Sequence, residues 1–162
     1  KYISEKTGVY WIETDKYLWK DSSFTENHPV EERFKMYNDD IANHQDYVVS
    51  GSVHSWNPEG FNDRELLVLL ILDEEIRMKR IYDREFARFG ERMLPGGDHY
   101  HLTCEFLDWC RTYLIDDENA VNSLASHMLR LKEASCKTLV LDGNQPVYVL
   151  YAHILNAYWQ VR

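Results

Sequence analysis

The chain has few of the residues that mark disordered, cross-linked or membrane-spanning proteins. Its 3 cysteines, Cys104, Cys110 and Cys136, include no CxxC pair, which argues against a disulfide framework or a zinc knuckle and favours a reducing cytoplasm. With 7 glycines and 4 prolines, it fits neither the collagen-like nor the low-complexity class. Its longest apolar run, Leu66 to Leu72, is far shorter than the roughly 20 residues of a membrane-spanning helix. We therefore expect a soluble, folded protein.

Basic residues are also in deficit. The 18 Lys and Arg face 27 Asp and Glu, which gives a formal net charge of -9. Such a charge repels phosphate backbones and anionic lipid, so we expect neither a nucleic-acid partner nor a membrane partner. The length of 162 residues predicts a single domain over 1–162. The first residue is Lys1 rather than Met, and we expect that the native start is missing from this sequence.

Helix and strand signals alternate along the chain. The patterns predict strands at Val9–Thr14, Tyr47–Ser50, Leu66–Leu72 and Lys137–Leu141, and helices ending at Gly8, running from Pro29 to about His44, from Asp73 through Arg84 or beyond, from Asp98 onward, over about Asn119–Ala134, and from Pro146 to about Tyr158. The unbroken apolar run Leu66–Leu72 favours a strand covered on both faces, with a buried helix as the alternative. Because parallel neighbours need crossover connections, we expect an α/β domain with a parallel sheet. Ligands in such domains bind at the carboxyl ends of the strands.

Polar residues follow the first two predicted strands. Glu13 and Asp15 are separated by one residue, and in an extended segment they would point to the same side. Such a pair could hold Mg²⁺ through water or accept a proton from a substrate hydroxyl; a solvated acidic loop is the alternative. Gly51, between two serines, either lets a ligand approach the backbone closely or simply ends the strand in a turn.

Arginines are concentrated after the third predicted strand, where clustered guanidinium groups could neutralise a phosphoryl group. For Arg77 and Arg80 we favour solvated ion pairs with neighbouring acids, and for Arg88 and Arg92, close to the Pro95-Gly96-Gly97 break, we favour ligand contact. Glycines beside cations are typical of a closing lid, here at about residues 86–98. His99 and His101 stand two residues apart in a predicted helix and therefore face apart, which disfavours a metal site there.

The ordered set of motifs resembles a family of small bacterial P-loop ATPases, AAA-family or adenylate-kinase-related, with nucleoside monophosphate kinases and shikimate kinase as more distant relatives. The resemblance covers essentially the whole chain. Its motifs are Glu13-Thr14-Asp15, Pro29 to Arg33, Val48 to Ser52, Leu66 to Leu72, Arg80, Arg84-Glu85, Arg88-Phe89-Gly90, Arg92, Pro95 to Asp98, Phe106 to Trp109, Tyr113, and Leu141 to Gly143 with Pro146-Val147.

This resemblance implies a three-layer α/β/α parallel sheet of the P-loop nucleotide-kinase type, with ATP and magnesium as cofactors and a small-molecule acceptor as substrate. Asp15 would sit at the acceptor and magnesium position, and Glu13 stands where relatives more often have Asp. Arg33 would reach the acceptor, and Gly51 would line its pocket. It also implies that Arg88 and Arg92 are lid cations over the transferring phosphate, and that Asp142 and Gly143 lie near the adenine edge.

The sequence departs from the family pattern at two points. No GxxxxGK[ST] phosphate-binding (Walker A) loop is present, and we expect that loop and the first strand to precede Lys1 in a longer polypeptide. Asn122-Ser123 stands where relatives tend to have Arg-Ser, which puts specificity or turnover in question.

The leading functional hypothesis is an ATP-dependent kinase or ATPase acting on a small acceptor, as a monomer or homodimer. A binding or regulatory module that keeps the fold without the chemistry is the second hypothesis, favoured by the absent loop and by Asn122. A structural or partner-binding acidic domain is the third. The leading hypothesis requires the arginines and the acidic pair to converge across a cleft, because phosphoryl transfer depends on positioning and charge neutralisation.

Overall fold

The computed structural model of the protein describes residues 1–21, 24 and 26–161. In chain order its elements are α1 (Tyr2–Thr7), β1 (Tyr10–Glu13), α2 (Asp15–Leu18), α3 (Val30–Ala42), β2 (Tyr47–Ser50), α4 (Pro58–Asn62), β3 (Leu66–Ile71), α5 (Glu74–Phe89), α6 (Tyr100–Arg111), α7 (Leu124–Lys132), β4 (Lys137–Asp142) and α8 (Val147–Trp159). Two short 3₁₀ turns, Gly90–Met93 and Thr112–Leu114, flank α6. The chain forms two compact units, one of Lys1–Leu66 with Val147–Arg162 and the other of Leu67–Pro146.

The first unit is built on a parallel pair of short strands. β1 and β2 pair in register from Tyr10 opposite Tyr47 to Glu13 opposite Ser50. Because parallel strands need a long crossover, the chain between them carries α2 and α3. The core of this unit is a cluster of fully buried side chains, Ile12, Tyr17, Tyr37 and Val53. Three of the four are contributed by β1 and by the two crossover helices, so the connection supplies the core as well as the geometry.

The second unit repeats that plan with longer helices. β3 and β4 form a two-stranded parallel sheet, and the connection between them contains α5, α6 and α7. α5 begins sharply because the side chain of Asp73 accepts hydrogen bonds from Glu75 N at 3.0 Å and Ile76 N at 3.3 Å. Met93, Thr103 and Cys110 are among the buried side chains of this unit.

The sheet architecture corrects the sequence expectation. The expected three-layer α/β/α parallel sheet is wrong, since the four strands of the described residues pair two by two and 54% of the structure is helix. β3 is also less covered than its apolar sequence predicts, because it has one strand neighbour and Leu70 remains 47% exposed. Local sequence patterns identify strands but do not specify which strands pair. The strands were therefore predicted correctly, and their pairing into one sheet was not. The single domain and its lid stay predictions.

Most helices and strands were predicted at the correct positions along the chain. The four strands and the helices α3, α5, α7 and α8 lie where the patterns placed them, within a few residues at their ends. Gly8 ends α1 with a φ of 78°, as its left-handed freedom predicted. The short helices α2 and α4 were not predicted, and Asp98 does not cap α6, which begins after His99. Within the part of the chain that the structure describes, no helix is long and apolar enough to cross a membrane.

Replacement of Asp73 by Ala should lower the free energy of unfolding by about 1 kcal/mol, because two backbone N–H groups at the start of α5 lose their acceptor. Urea denaturation measures this change. Asp83→Ala is the matched control, since Asp83 lies on the same helix and makes only an exposed ion pair with Lys79, so its replacement should cost less than about 0.5 kcal/mol. Equal destabilisation by the two substitutions would contradict the capping role.

Candidate functional site

The carboxyl ends of β1 and β2 are joined tightly in the first unit. Thr14 N donates to Ser50 O at 3.0 Å, and the indole Nε1 of Trp11 donates to Ser50 Oγ at 2.8 Å. These bonds place the Glu13–Asp15 segment beside the Ser50–Ser52 turn, which is where the sequence predicted an acceptor site.

Gly51 is required at this end of the sheet for a reason internal to the protein. Its φ of 112° is strained for any residue with a side chain, and a Cβ built on it would lie 1.8 Å from Thr14 Oγ1. Thr14 is itself buried. Glycine at this position lets another group come close to the backbone, and in the structure that group is the side chain of Thr14. A ligand contact at Gly51 stays a prediction.

The two carboxylates are exposed but do not share an extended segment. Glu13 ends β1, whereas Asp15 is the first residue of α2, and the backbone turns at Thr14 with φ −68° and ψ −24°. The extended segment on which the sequence prediction for the pair depended is therefore not present beyond Glu13. Neither carboxylate has a hydrogen-bond or ion-pair partner among residues 1–21, 24 and 26–161, so both remain available to a ligand.

Arg33 lies in the first turn of α3 and is half-buried. Its Nε donates to His28 O at 2.7 Å, which ties the guanidinium to the segment that precedes the helix. Within the described residues, its other two guanidinium nitrogens make no hydrogen bond. Arg33 can therefore hold its loop and still present a charge to a ligand.

The sequence did not reveal a polar cluster centred on Asp40. Lys16 Nζ donates to Asp40 Oδ2 at 2.7 Å, Tyr17 Oη donates to the same oxygen, and Tyr10 Oη donates to Asp40 Oδ1 at 3.4 Å. The imidazole of His44 stacks on the Tyr10 ring at 3.6 Å between centroids. Asp40 is 24 residues from Lys16 in the chain, so no local motif pointed to the pair.

Asp40 and its partners shift each other's pKa values. Burial alone would raise the pKa of Asp40, but the hydrogen bonds from Lys16 and Tyr17 outweigh burial and lower it. Burial opposes the charge of Lys16, yet its hydrogen bonds to Asp40 and two tyrosines raise its pKa. Burial and the hydrogen bond to Asp40 both raise the pKa of Tyr17. At neutral pH the cluster is an ion pair held by neutral phenols, which fixes α2 against α3 and leaves no group poised as a base.

Two shallow grooves border the first unit at the opposite end of its strands. One is lined by the chain from Thr7 to Tyr10 and from Asn43 to Asp46, and the other by Asn38, the residues 41–45, Tyr47 and Asp63. Both lie at the amino ends of β1 and β2, whereas the sequence placed the acceptor site at the carboxyl ends.

The two predicted lid cations lie in the second unit and have acidic partners. Arg92 donates from Nε and Nη2 to the two carboxylate oxygens of Asp98, each at 2.8 Å. These hydrogen bonds lower the pKa of Asp98, which stays ionised. Arg88 Nη1 lies 3.8 Å from Glu85 Oε1, and the same oxygen accepts from Arg84 Nε at 2.9 Å. Glu85 is buried, so two arginines compensate one buried carboxylate.

The segment that carries Arg92 is tied down by its backbone. His99 N donates to Arg92 O at 3.0 Å, and Gly97 N donates to Leu94 O at 2.9 Å. A Cβ at Gly97 would lie 2.1 Å from Arg92 O, so this glycine serves close packing. The ring of His99 stacks on Phe89 at 3.8 Å.

The remaining arginines make structural contacts within the second unit. Arg77 forms a bidentate pair with Glu74 and donates to Cys110 O at 2.7 Å. The predicted pairing with a neighbouring acid is confirmed, but the prediction that the pair is solvated is wrong, because the Arg77 side chain is only 16% exposed. Arg80 instead donates to Gly143 O at 3.0 Å and to Asn144 Oδ1 at 2.9 Å.

Asp142 and Gly143 form the turn that follows β4. Asp142 Oδ1 accepts from Asn144 N at 2.8 Å, and Gly143 N donates to Ile71 O at 2.7 Å, which links the ends of β3 and β4. The turn is therefore held by one local bond and by bonds to β3 and α5. The expected adenine contact of these two residues stays a prediction.

Asn122 has a conformational role at the start of α7. Its φ of 62° is left-handed, a region in which Asn is less strained than most residues with a side chain. The next residue, Ser123, caps α7 by accepting from Ser126 N at 3.0 Å. Asn here therefore has a structural reason that is independent of substrate.

No metal centre is formed by histidine, cysteine and carboxylate side chains in the described part of the chain, where no group of three or more is placed to hold an ion. His99 and His101 belong to no such group. Cys104, Cys110 and Cys136 are free thiols, and burial raises the pKa of Cys110.

Comparison with curated proteins identifies a relative of this chain. The chain is 32% identical over 145 residues to YqaC of Bacillus subtilis (strain 168), an uncharacterized protein, and the alignment covers 88% of this chain and 79% of YqaC. The chain therefore belongs to the same family as YqaC. No protein-family model matches the chain. No solved structure matches it either.

Replacement of Gly51 by Ala should lower the free energy of unfolding by about 3 kcal/mol, because the new Cβ adds left-handed strain to a collision with Thr14. Chemical denaturation measures the loss. Gly8→Ala is the matched control, since Gly8 has a φ of 78° but open space around it, and should cost about 1 kcal/mol. Adding Thr14→Ala to the Gly51 variant should recover part of the loss. A Gly51 variant no less stable than the Gly8 variant would refute the packing argument.

Asp40→Asn should cost about 1 kcal/mol at neutral pH, since the ion pair with Lys16 is partly exposed and therefore screened. The pKa of Asp40 is lowered on folding, so its contribution is complete above about pH 4 and is lost as the pH falls through the folded value. The stability difference between wild type and variant should therefore shrink in acid. Asp39→Asn, an exposed neighbour, should show neither effect; the same pH dependence in both variants would contradict this assignment.

Proposed function

We propose that the protein catalyses ATP-dependent phosphoryl transfer to a small acceptor of the nucleoside or nucleotide type. The observation that carries this proposal is the carboxyl end of β1, where exposed Glu13 and Asp15 have no partner within the described residues. Carboxylates left unpaired at a strand end can receive a substrate hydroxyl.

In this proposal the first unit supplies the acceptor side. Asp15 accepts the proton of the attacking hydroxyl, and Glu13 accepts a second hydrogen bond from the acceptor. Arg33, which uses one guanidinium nitrogen within its loop, offers the others to an anionic group of the acceptor. Gly51 contributes its backbone to the acceptor pocket. Because Thr14 leaves no room for a Cβ at position 51, the turn carries no side chain there.

Arg88 and Arg92 belong to the second unit, where we propose that they neutralise phosphate charge of the bound nucleotide. Phosphoryl transfer needs positioned positive charge more than covalent chemistry, and guanidinium groups bind phosphate oxygens in pairs. Asp142 and Gly143 are proposed beside the adenine of ATP. For Asp142 this role would use Oδ2, because Oδ1 accepts from Asn144 N. The N and O of Gly143 are both hydrogen-bonded already, so Gly143 would contribute only the space left by its missing side chain.

For magnesium, we propose one carboxylate ligand rather than a full set of protein ligands. The described residues contain no cluster that could hold a metal through protein ligands alone. Asp15 suits a single-carboxylate contact, because Mg²⁺ commonly keeps several waters and takes further oxygens from phosphates. When bound, the ion would supply charge neutralisation to the phosphate oxygens.

A second candidate function is a nucleotide-binding or regulatory module without chemistry. The observation that favours it is the pairing of the cations, since Arg92 is bound in bidentate fashion by Asp98 and Arg88 lies beside Glu85. Under either function we propose a cytoplasmic protein, a monomer or homodimer, with small-molecule rather than nucleic-acid partners; the three free thiols and the net charge of -9 support this.

The proposed function is tested by ATP turnover of the full-length protein in magnesium with a panel of nucleosides and nucleotides as acceptors. Acceptor-dependent ADP release supports the kinase. ATP binding without turnover supports the non-catalytic module instead. Absence of both binding and turnover in protein whose phosphate-binding loop has been verified would reject both functions.

Arg88→Ala and Arg92→Ala should each lower turnover by about 10³-fold, the loss typical of a cation that stabilises transferred phosphate. Steady-state kinetics with the preferred acceptor measures it. Arg111→Ala is the matched control, because Arg111 belongs to the same unit and makes an exposed ion pair with Asp108, and should leave turnover unchanged. Near-normal kinetics of both the Arg88 and Arg92 variants would remove them from the site.

A further inference from the structure

Arg92 is held by Asp98 in the geometry that a phosphate would use. Both bonds from the guanidinium, Nε to Oδ1 and Nη2 to Oδ2, are 2.8 Å long. The parallel fork of an arginine matches two oxygens of a carboxylate and two oxygens of a phosphate equally well. Asp98 thus occupies the edge of Arg92 that a phosphoryl group would bind.

This pair differs from the bidentate pair of Arg77 and Glu74 in the same unit. The side chains of Arg92 and Asp98 are 61% and 67% exposed, whereas Arg77 is 16% exposed and is also held by Cys110 O and the Tyr113 ring. An exposed ion pair contributes little to stability, because water and salt screen it. The Arg92–Asp98 pair is therefore exchangeable, and the Arg77 pair is fixed.

The backbone holds both partners in place whether or not they are paired. Arg92 O accepts from His99 N at 3.0 Å, and Gly97 packs directly against that same carbonyl. Asp98 stands between Gly97 and His99, so it is presented to Arg92 by the main chain. Met93, next to Arg92, is buried and anchors the turn. Exchange of the carboxylate for another anion requires only a side-chain rotation.

We propose that Asp98 is an internal competitor for Arg92, a carboxylate that a phosphate-bearing ligand must displace in order to bind. The inference rests on the proposed function, because it assigns Asp98 the role of setting the affinity of the phosphate side.

The competition is measured by titrating the protein with inorganic pyrophosphate while the arginine Nε–Hε signals are followed by NMR. Pyrophosphate should shift the signal of Arg92, and Asp98→Asn should tighten its apparent affinity about two- to fivefold, the value of one exposed ion pair. Asp83→Asn is the matched control for net charge, since Asp83 is an exposed, ion-paired aspartate of the same unit, and should leave the affinity unchanged.

Arg92→Ala should abolish the gain in the Asp98→Asn background, which separates competition at Arg92 from a general charge effect. The proposal is overturned if pyrophosphate leaves the Arg92 signal unmoved, if Asp98→Asn binds no tighter than wild type, or if Asp83→Asn gains as much. The assay does not depend on catalysis. If the protein does not turn over ATP but Asp98→Asn binds pyrophosphate more tightly, the kinase function is rejected and the competition at Arg92 stands. If the protein turns over ATP but Asp98→Asn binds pyrophosphate no more tightly, the competition is rejected and the kinase function stands.

Discussion

Parallel pairing of strands is the constraint on which both units depend. A parallel neighbour cannot be reached by a tight turn, so the chain between β1 and β2 and the chain between β3 and β4 must each form helices that return to the start of the next strand. In the first unit those helices deliver Tyr17 and Tyr37 to the core beside Ile12. In the second, the longer return brings α5 against α6 and places every arginine of interest on or beside α5.

The arginines show how the same residue type acquires different roles from its surroundings. Arg77 is enclosed by an acid, a carbonyl and an aromatic ring, and Arg80 holds the turn after β4. Arg92 meets a single exposed aspartate. Exposure decides between these roles, because a screened pair can exchange its anion and an enclosed one cannot. A phosphate-binding role is therefore best sought at Arg92.

The candidate site was only partly predictable. Glu13 and Asp15 were singled out because they follow a strand, but the extended segment expected to join them was not found, because α2 begins at Asp15. Gly51 was singled out as a small residue, but its cause, the side chain of Thr14, lies 37 positions away in the chain. The Asp40 cluster had no signal at all, since its members come from β1, α2 and α3 and meet only in the folded unit.

The sequence by itself determined the four strands and the longer helices, though not the short α2 and α4, together with several ends such as the cap at Asp73 and the left-handed Gly8. These signals act between residues a few positions apart. It also determined the acidic charge of the whole protein. The tertiary structure alone decided that the strands pair two by two, which leaves Leu70 of an all-apolar strand half exposed. It alone decided the partners of Arg80 and Arg92. Both outcomes depend on contacts that are selected only when the whole chain folds, because several strands or polar groups could serve as the partner. A local sequence pattern does not contain that information.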